Sequence, residues 1–155
     1  MNITLNKINR DTFNEISDTL NNDLEVGKYV KFSDYKNTYG IYLNDKLIGL
    51  FSLHLFINFN VTMHIALLKE YRNKGIGYYV LDGIIKKYGI NYPNSEYFMI
   101  DVNYSNEKAL NSFNKMNLKT TNEFDELMID EGGEFFKLYK KENPYYVKRK
   151  ELCKW

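Results

Sequence analysis

Apolar and polar residues alternate through Ile3, Leu5 and Ile8, which predicts a short opening strand. The period then changes. From Asp11 to Leu20 the apolar residues Phe13, Ile16 and Leu20 fall three and four apart, one face of a helix that Asp11 is placed to cap. A weaker helical pattern covers Leu24 to Phe32. Tyr39 to Leu43 and Lys46 to Phe56 read as strands joined by Asn44-Asp45, a two-residue turn suited to an antiparallel hairpin. After a break at Asn58 to Asn60, Val61 to Leu68 reads as a third strand of the same meander.

Beyond Gly77 the pattern becomes strongly helical, with Ile76, Val80, Ile84 and Tyr88 four apart and Leu81 and Ile85 beside them. Gly89 and Pro93 end that helix, and Tyr97 to Val102 alternates as a strand. Strand, helix, strand over residues 61–102 is the crossover that makes two strands parallel. A further helix follows from Asn106 to Met116, with Ala109, Leu110, Phe113 and Met116 on one face. Leu118 to Ile129 and Glu134 to Lys140 then flank Glu131-Gly132-Gly133 as a closing hairpin. The residues from 143 to 155 mix aromatic and basic side chains and form a tail to a domain spanning 1–142.

Composition narrows the classes of function. The 155 residues fit one α/β domain, and 44% hydrophobic and 16% aromatic residues suit an ordered core. Basic and acidic residues number 21 and 20, so the net charge of +1 supplies no general field for nucleic acid or an anionic membrane, and neither is expected as a partner. Cys153 is the one cysteine, which rules out an intrachain disulfide and a cysteine metal cluster and suits a reducing cytoplasm. No apolar run approaches the ~18 residues of a spanning helix. No metal site is expected, and the aromatic tail admits a homodimer.

The chemistry concentrates where the third strand ends, in Leu67-Leu68-Lys69-Glu70-Tyr71-Arg72-Asn73-Lys74-Gly75-Ile76-Gly77. Two glycines let backbone approach a ligand closely, and the first N–H groups of the next helix attract anions. A phosphate-binding P-loop needs Lys-Ser or Lys-Thr after its last glycine, where Tyr78-Tyr79 stand; a dinucleotide fingerprint needs a third glycine, where Val80 stands.

Tyr71 to Gly77 instead resembles the Arg/Gln-x-x-Gly-x-Gly/Ala loop of the GNAT superfamily of N-acetyltransferases, and the run from Val102 through Asn106 and Ala109 to Phe113 is similar to that family's second signature. The resemblance implies a central, mostly antiparallel sheet with helices on both faces and one parallel strand pair splayed for coenzyme A. It implies acetyl-CoA as co-substrate and a primary amine of a small molecule or peptide as acceptor. Arg72, Asn73, Lys74, Gly75, Ile76, Gly77 and Tyr78 would surround the pyrophosphate. Leu67 and Leu68 would offer main-chain groups to the pantetheine arm and the reacting oxygen, and Asn106, Ala109 and Phe113 would line its other side.

Two departures concern catalysis. Phe113 stands where many members carry a tyrosine acid, and Met63 and Val61 stand where some carry a Glu or His base. His64 is the nearest titratable group on that strand, on the face away from Met63 unless a β-bulge resets it, and Tyr104 is a candidate for the missing hydroxyl. His54 shares the ambiguity of His64, and Asp101 could meet a cationic substrate. The other reading consistent with these departures is a catalytically silent CoA-binding module that acts through a partner.

Overall fold

A computed structural model describes residues 2–56, 60–88, 97–103, 105–115, 119–121 and 133–140. Among these residues seven strands form one sheet: β1 (Ile3–Lys7), β2 (Thr38–Leu43), β3 (Lys46–Phe56), β4 (Asn60–Leu67), β5 (Tyr97–Asn103), β6 (Lys119–Thr121) and β7 (Gly133–Lys140), in the order β1-β2-β3-β4-β5-β7-β6. The β4–β5 pair is parallel and every other pair is antiparallel. The mixed α/β sheet expected from the crossover is therefore present. The closing pair extends the sheet beyond β5, with β7 next to β5 and β6 at the edge. The expected turn at Glu131-Gly132, the breaks at Gly89 and Pro93, and the 143–155 tail lie outside the described residues.

Three helices among the described residues cover the sheet: α1 (Arg10–Asn21), α2 (Ile76–Tyr88) and α3 (Glu107–Lys115). Phe13, Ile16 and Leu20 of α1 pack with Leu50 and Ala66 on one face. Ile76, Val80, Leu81 and Ile84 of α2 and Phe113 of α3 pack with Phe51, Leu53, Met63 and Val102 on the other. Burying each such aliphatic side chain contributes about 1.5–3 kcal/mol, so this two-sided core fixes which way each β-strand residue faces. Among the described residues no helix is long and apolar enough to cross a membrane.

Two local expectations are corrected. Asn9, not Asp11, caps α1, its side chain accepting the Thr12 N–H at 2.8 Å; Asp11 sits inside the first turn, where its charge complements the helix dipole. The helix expected over Leu24 to Phe32 is a single 3-10 turn at Val26–Lys28. Gly27 interrupts that pattern and lies against the end of α1, where an added Cβ would come within 2.4 Å of the Asn21 carbonyl oxygen. The Asn21 side chain also takes both main-chain groups of Phe32, accepting its N–H at 2.8 Å and donating to its carbonyl at 3.0 Å. The chain is thus folded back as a loop, with Leu24 85% exposed.

The β2–β3 hairpin turns as expected at Asn44 and Asp45, both with positive φ (48° and 67°). A register shift falls in this hairpin, between Ile41 and Tyr42, while β3 and β4 pair without interruption from Phe56–Asn60 to Gly49–Leu67. Gly49 allows that final approach, since a Cβ there would lie 2.4 Å from the Ala66 carbonyl oxygen and 3.0 Å from the Leu67 Cα. Gly49→Ala should therefore lower stability by about 1–3 kcal/mol, read as a reduced urea midpoint with an unchanged m-value.

Candidate active site

The decisive feature of β4 is where its pairing with β5 stops. Val61, Thr62 and Met63 pair with Phe98, Met99 and Ile100, but His64 to Leu67 continue along β3 alone, and Asp101 to Asn103 continue along β7. The two parallel strands diverge inside the sheet. The Leu68 N–H donates to the Ile48 carbonyl at 2.7 Å, so even-numbered residues of β4 turn their main-chain groups toward β3 and odd-numbered ones toward β5. The N–H groups of Ile65 and Leu67 consequently point toward the gap. Of the two expected main-chain donors, Leu68 is committed to β3 and Leu67 is directed into the cleft.

The loop beyond Leu67 is held by Arg72. Its Nε donates to the Leu67 carbonyl at 2.8 Å, and its two terminal nitrogens donate to Asp23 Oδ1 and Oδ2 at 3.1 and 2.9 Å. Glu25 adds a carboxylate oxygen at 3.5 Å. The Arg72 side chain is 12% exposed, so it is a largely enclosed clamp rather than a solvated loop charge. Asp23 also accepts the N–H groups of Glu25 and Val26 at 2.8 and 3.1 Å. Led by the Arg72 hydrogen bonds, these contacts lower its pKa to about 2 against the opposing effect of burial.

With Arg72 fixed, the backbone curls through two left-handed residues, Asn73 (φ 62°) and Gly75 (φ 76°), and enters α2 at Ile76. Left-handed residues of this kind turn successive N–H groups into anion-binding concavities. Asn73, Lys74 and Gly75 are exposed, Ile76 is buried in the core, and Gly77 and Tyr78 are half-buried. A Cβ built on Gly75 or Gly77 meets nothing within 4 Å, so the space over this loop is open.

Across the gap, Asn106 caps α3, its Oδ1 accepting the Ala109 N–H at 3.4 Å. Ala109, Leu110 and Phe113 join the cluster that includes Leu67 and Met63, so the two stretches singled out in the sequence meet on one face of the sheet. Tyr104, and the side chains of Asp101 and Val61, lie outside the described residues.

Reading along the chain missed the segment that spans the cleft. Asp23 and Glu25 hold Arg72 on the β4 side, while Tyr29 donates its hydroxyl to the Ser105 carbonyl at 3.2 Å and Glu25 approaches Lys108 at 3.9 Å on the β5 side. These partners are separated by tens of residues, and no local pattern signals them.

His64 lies between Met63 and Ile65, which face α2, and so shares the α1 face with Ala66. The bulge that could have turned it toward Met63 is not present in β4; the register shift lies between β2 and β3 instead. Burial, and secondarily the neighbouring His54, lower the His64 pKa, which favours the neutral imidazole.

A sequence profile described as Acetyltransferase (GNAT) family matches residues 4–117. The chain belongs to the GNAT acetyltransferase family. It is an acetyltransferase with acetyl-CoA as co-substrate, and the diverging strands and open glycine loop suit that ligand. Comparison with curated protein sequences finds no match. Among solved structures, the fold is similar to the aminoglycoside acetyltransferase AAC(6')-Ib in complex with coenzyme A and kanamycin (TM-score 0.70, 13% identity, covering 97% of this chain and 99% of that one). It is also similar to spermidine N-acetyltransferase from Vibrio cholerae in complex with CoA and spermine (TM-score 0.60, 17% identity, 77% and 82% covered). Arabidopsis thaliana Naa50, in complex with a CoA-Ac-MVNAL bisubstrate analogue, gives a TM-score of 0.56 at 18% identity, with 88% and 97% covered.

The Arg72–Asp23 clamp makes the stability of this GNAT domain sensitive to acid. Because the folded pKa of Asp23 lies below its unfolded value, its stabilisation is complete above about pH 4 and is lost as pH falls toward 2. Asp23→Asn should remove about 1–2 kcal/mol at neutral pH and flatten the stability profile between pH 4 and 2, measured by urea denaturation across that range.

Proposed function

We propose that this chain transfers an acetyl group from acetyl-CoA to a primary amine of a small molecule or peptide. The single observation that carries the reading is the divergence of β4 from β5 beside an open glycine loop. In this reading Asn73 to Tyr78 hold the pyrophosphate through main-chain N–H groups and the α2 N-terminus, with Arg72 setting the path of the loop. The bound co-substrate supplies an acetyl thioester. Ile65 and Leu67 align its arm as an added strand would be aligned, and the Leu67 N–H is the donor for the thioester oxygen. Asn106 and Ala109 bound the arm on the α3 side, and Phe113, without a hydroxyl, packs against it.

Proximity supplies much of the rate enhancement, but the acceptor reaches the site as an ammonium and must lose a proton. His64, on the α1 face, is the base in this reading, directly or through water; Tyr104 is the candidate acid. The compounds named for the similar structures, a polyamine, an aminoglycoside and a short peptide, are the natural first acceptors to test, in a reducing cytoplasm that the lone Cys153 suits.

Gly77→Leu is the cleanest probe of the cradle, because Gly77 lies in a helix with open space beside it and, unlike Gly75, needs no left-handed backbone. It should leave stability within about 1 kcal/mol and weaken acetyl-CoA binding at least about tenfold by calorimetry, a loss of roughly 1.4 kcal/mol. Unaltered affinity would remove the loop from the binding site. Amine-dependent thiol release by the wild type supports transfer; saturable acetyl-CoA binding with no release across the amines would leave the silent binding module as the reading.

A further inference from the structure

His64 does not stand alone on its face. It pairs across the sheet with Ser52, and one diagonal step away His54 stacks edge-on against it, with ring centroids 5.8 Å apart and planes at 67°. His54 Nδ1 lies 3.8 Å from Asp34 Oδ2, a separation that suits a charge contact or one bridging water. Asp34 is itself held at the start of the 3-10 turn Tyr35–Asn37. Asn37 donates to its carboxylate at 2.6 Å, and the Thr38 hydroxyl donates to its carbonyl at 2.6 Å. His64 is half-buried, and the side chains of His54 and Asp34 are 34% and 41% exposed, so the outer end of the row meets solvent.

We propose that His54 and Asp34 form a proton exit from His64, carrying the acceptor's ammonium proton from the cleft to solvent. The inference rests on the reading of His64 as the base. In the reaction the amine nitrogen forms a bond to the acetyl carbon as the carbon–sulfur bond breaks. The ammonium gives up two protons to become an amide, the departing thiolate takes one, and one proton per turnover must leave the site. His64 accepts that proton, hands it to His54, and returns to its neutral form for the next cycle.

The charges along the row support this direction of flow. Burial and His54 both disfavour a proton resting on His64, while the Asn37 hydrogen bond keeps Asp34 ionised, with His54 adding to that effect. Among the described residues, β3 brings Ser52 and His54 to this row and the turn before β2 brings Asp34. α1 presents Phe13, Ile16 and Leu20 to the same face.

His54 and Asp34 would then be positioning residues whose effect is on proton transfer rather than cofactor binding. The test compares wild type, His54→Gln and Asp34→Asn in thiol release from acetyl-CoA with spermidine, kanamycin and the peptide Met-Val-Asn-Ala-Leu as acceptors. NMR titration of the His64 imidazole runs alongside. In His54→Gln, kcat should fall about tenfold, the acetyl-CoA KM should stay within about twofold, and added imidazole should restore part of the rate. The His64 titration should move part of the way up toward the ordinary histidine value, because burial remains while the opposing effect of His54 is removed. Asp34→Asn should lower kcat by about threefold with the same KM.

An unchanged kcat in His54→Gln, or an unmoved His64 titration, overturns the relay while leaving the acetyltransferase reading intact. A fall in rate accompanied by a parallel rise in KM overturns it as well, since that is the signature of general distortion. A wild type silent with all three amines overturns the base assignment for them and the relay with it.

Discussion

A parallel strand pair that separates in mid-sheet is the constraint on which the site depends. Main-chain N–H and carbonyl groups at the centre of a sheet normally pair, and leaving one buried without a partner costs about 1–3 kcal/mol. Here β4 and β5 pair only through Met63 and Ile100, and the residues beyond are held by their other neighbours, β3 and β7. The close approach at Gly49 and the Leu68–Ile48 hydrogen bond keep β4 straight where its β5 partner is gone. The cleft is therefore framed by strands held from their outer sides, and a ligand with strand-like hydrogen-bonding groups can complete the pairing.

The same region explains how distant parts of the chain are brought to one place. Arg72 closes the Leu67 carbonyl and reaches Asp23 with both terminal nitrogens, a bidentate geometry that a lysine cannot reproduce. Asp23 in turn organises the Val26–Lys28 turn, and Tyr29 at the end of that turn reaches Ser105 beyond β5. A single loop thus ties the two flanks of the cleft together.

Much of this fold was legible in local patterns because the responsible physics is local. The α2 stripe, the Asn44-Asp45 turn and the glycine loop each follow from periodicity or from a backbone conformation that few residues adopt readily. The Leu24 to Phe32 stretch has helical spacing, yet Gly27 and Asn21 hold it as a loop through contacts that periodicity does not register. The site divides along the same line. Glycines announce the loop, but the role of Arg72 depends on Asp23, 49 positions earlier in the chain. Likewise His54 and His64 become neighbours only through the register of β3 against β4. The facing of His64 followed from alternation, once the β4 register proved free of the bulge that would have altered it.

The central claim is that the gap between β4 and β5 is the seat of the acetyl-CoA arm. A crystal structure of the chain with coenzyme A bound tests it most directly. The pantetheine should lie between the strands, hydrogen-bonded to main-chain groups of Ile65 and Leu67, with the pyrophosphate over Asn73 to Gly77. Coenzyme A bound elsewhere, or β4 and β5 zipped together beyond Met63 and Ile100 with the ligand outside them, would contradict it.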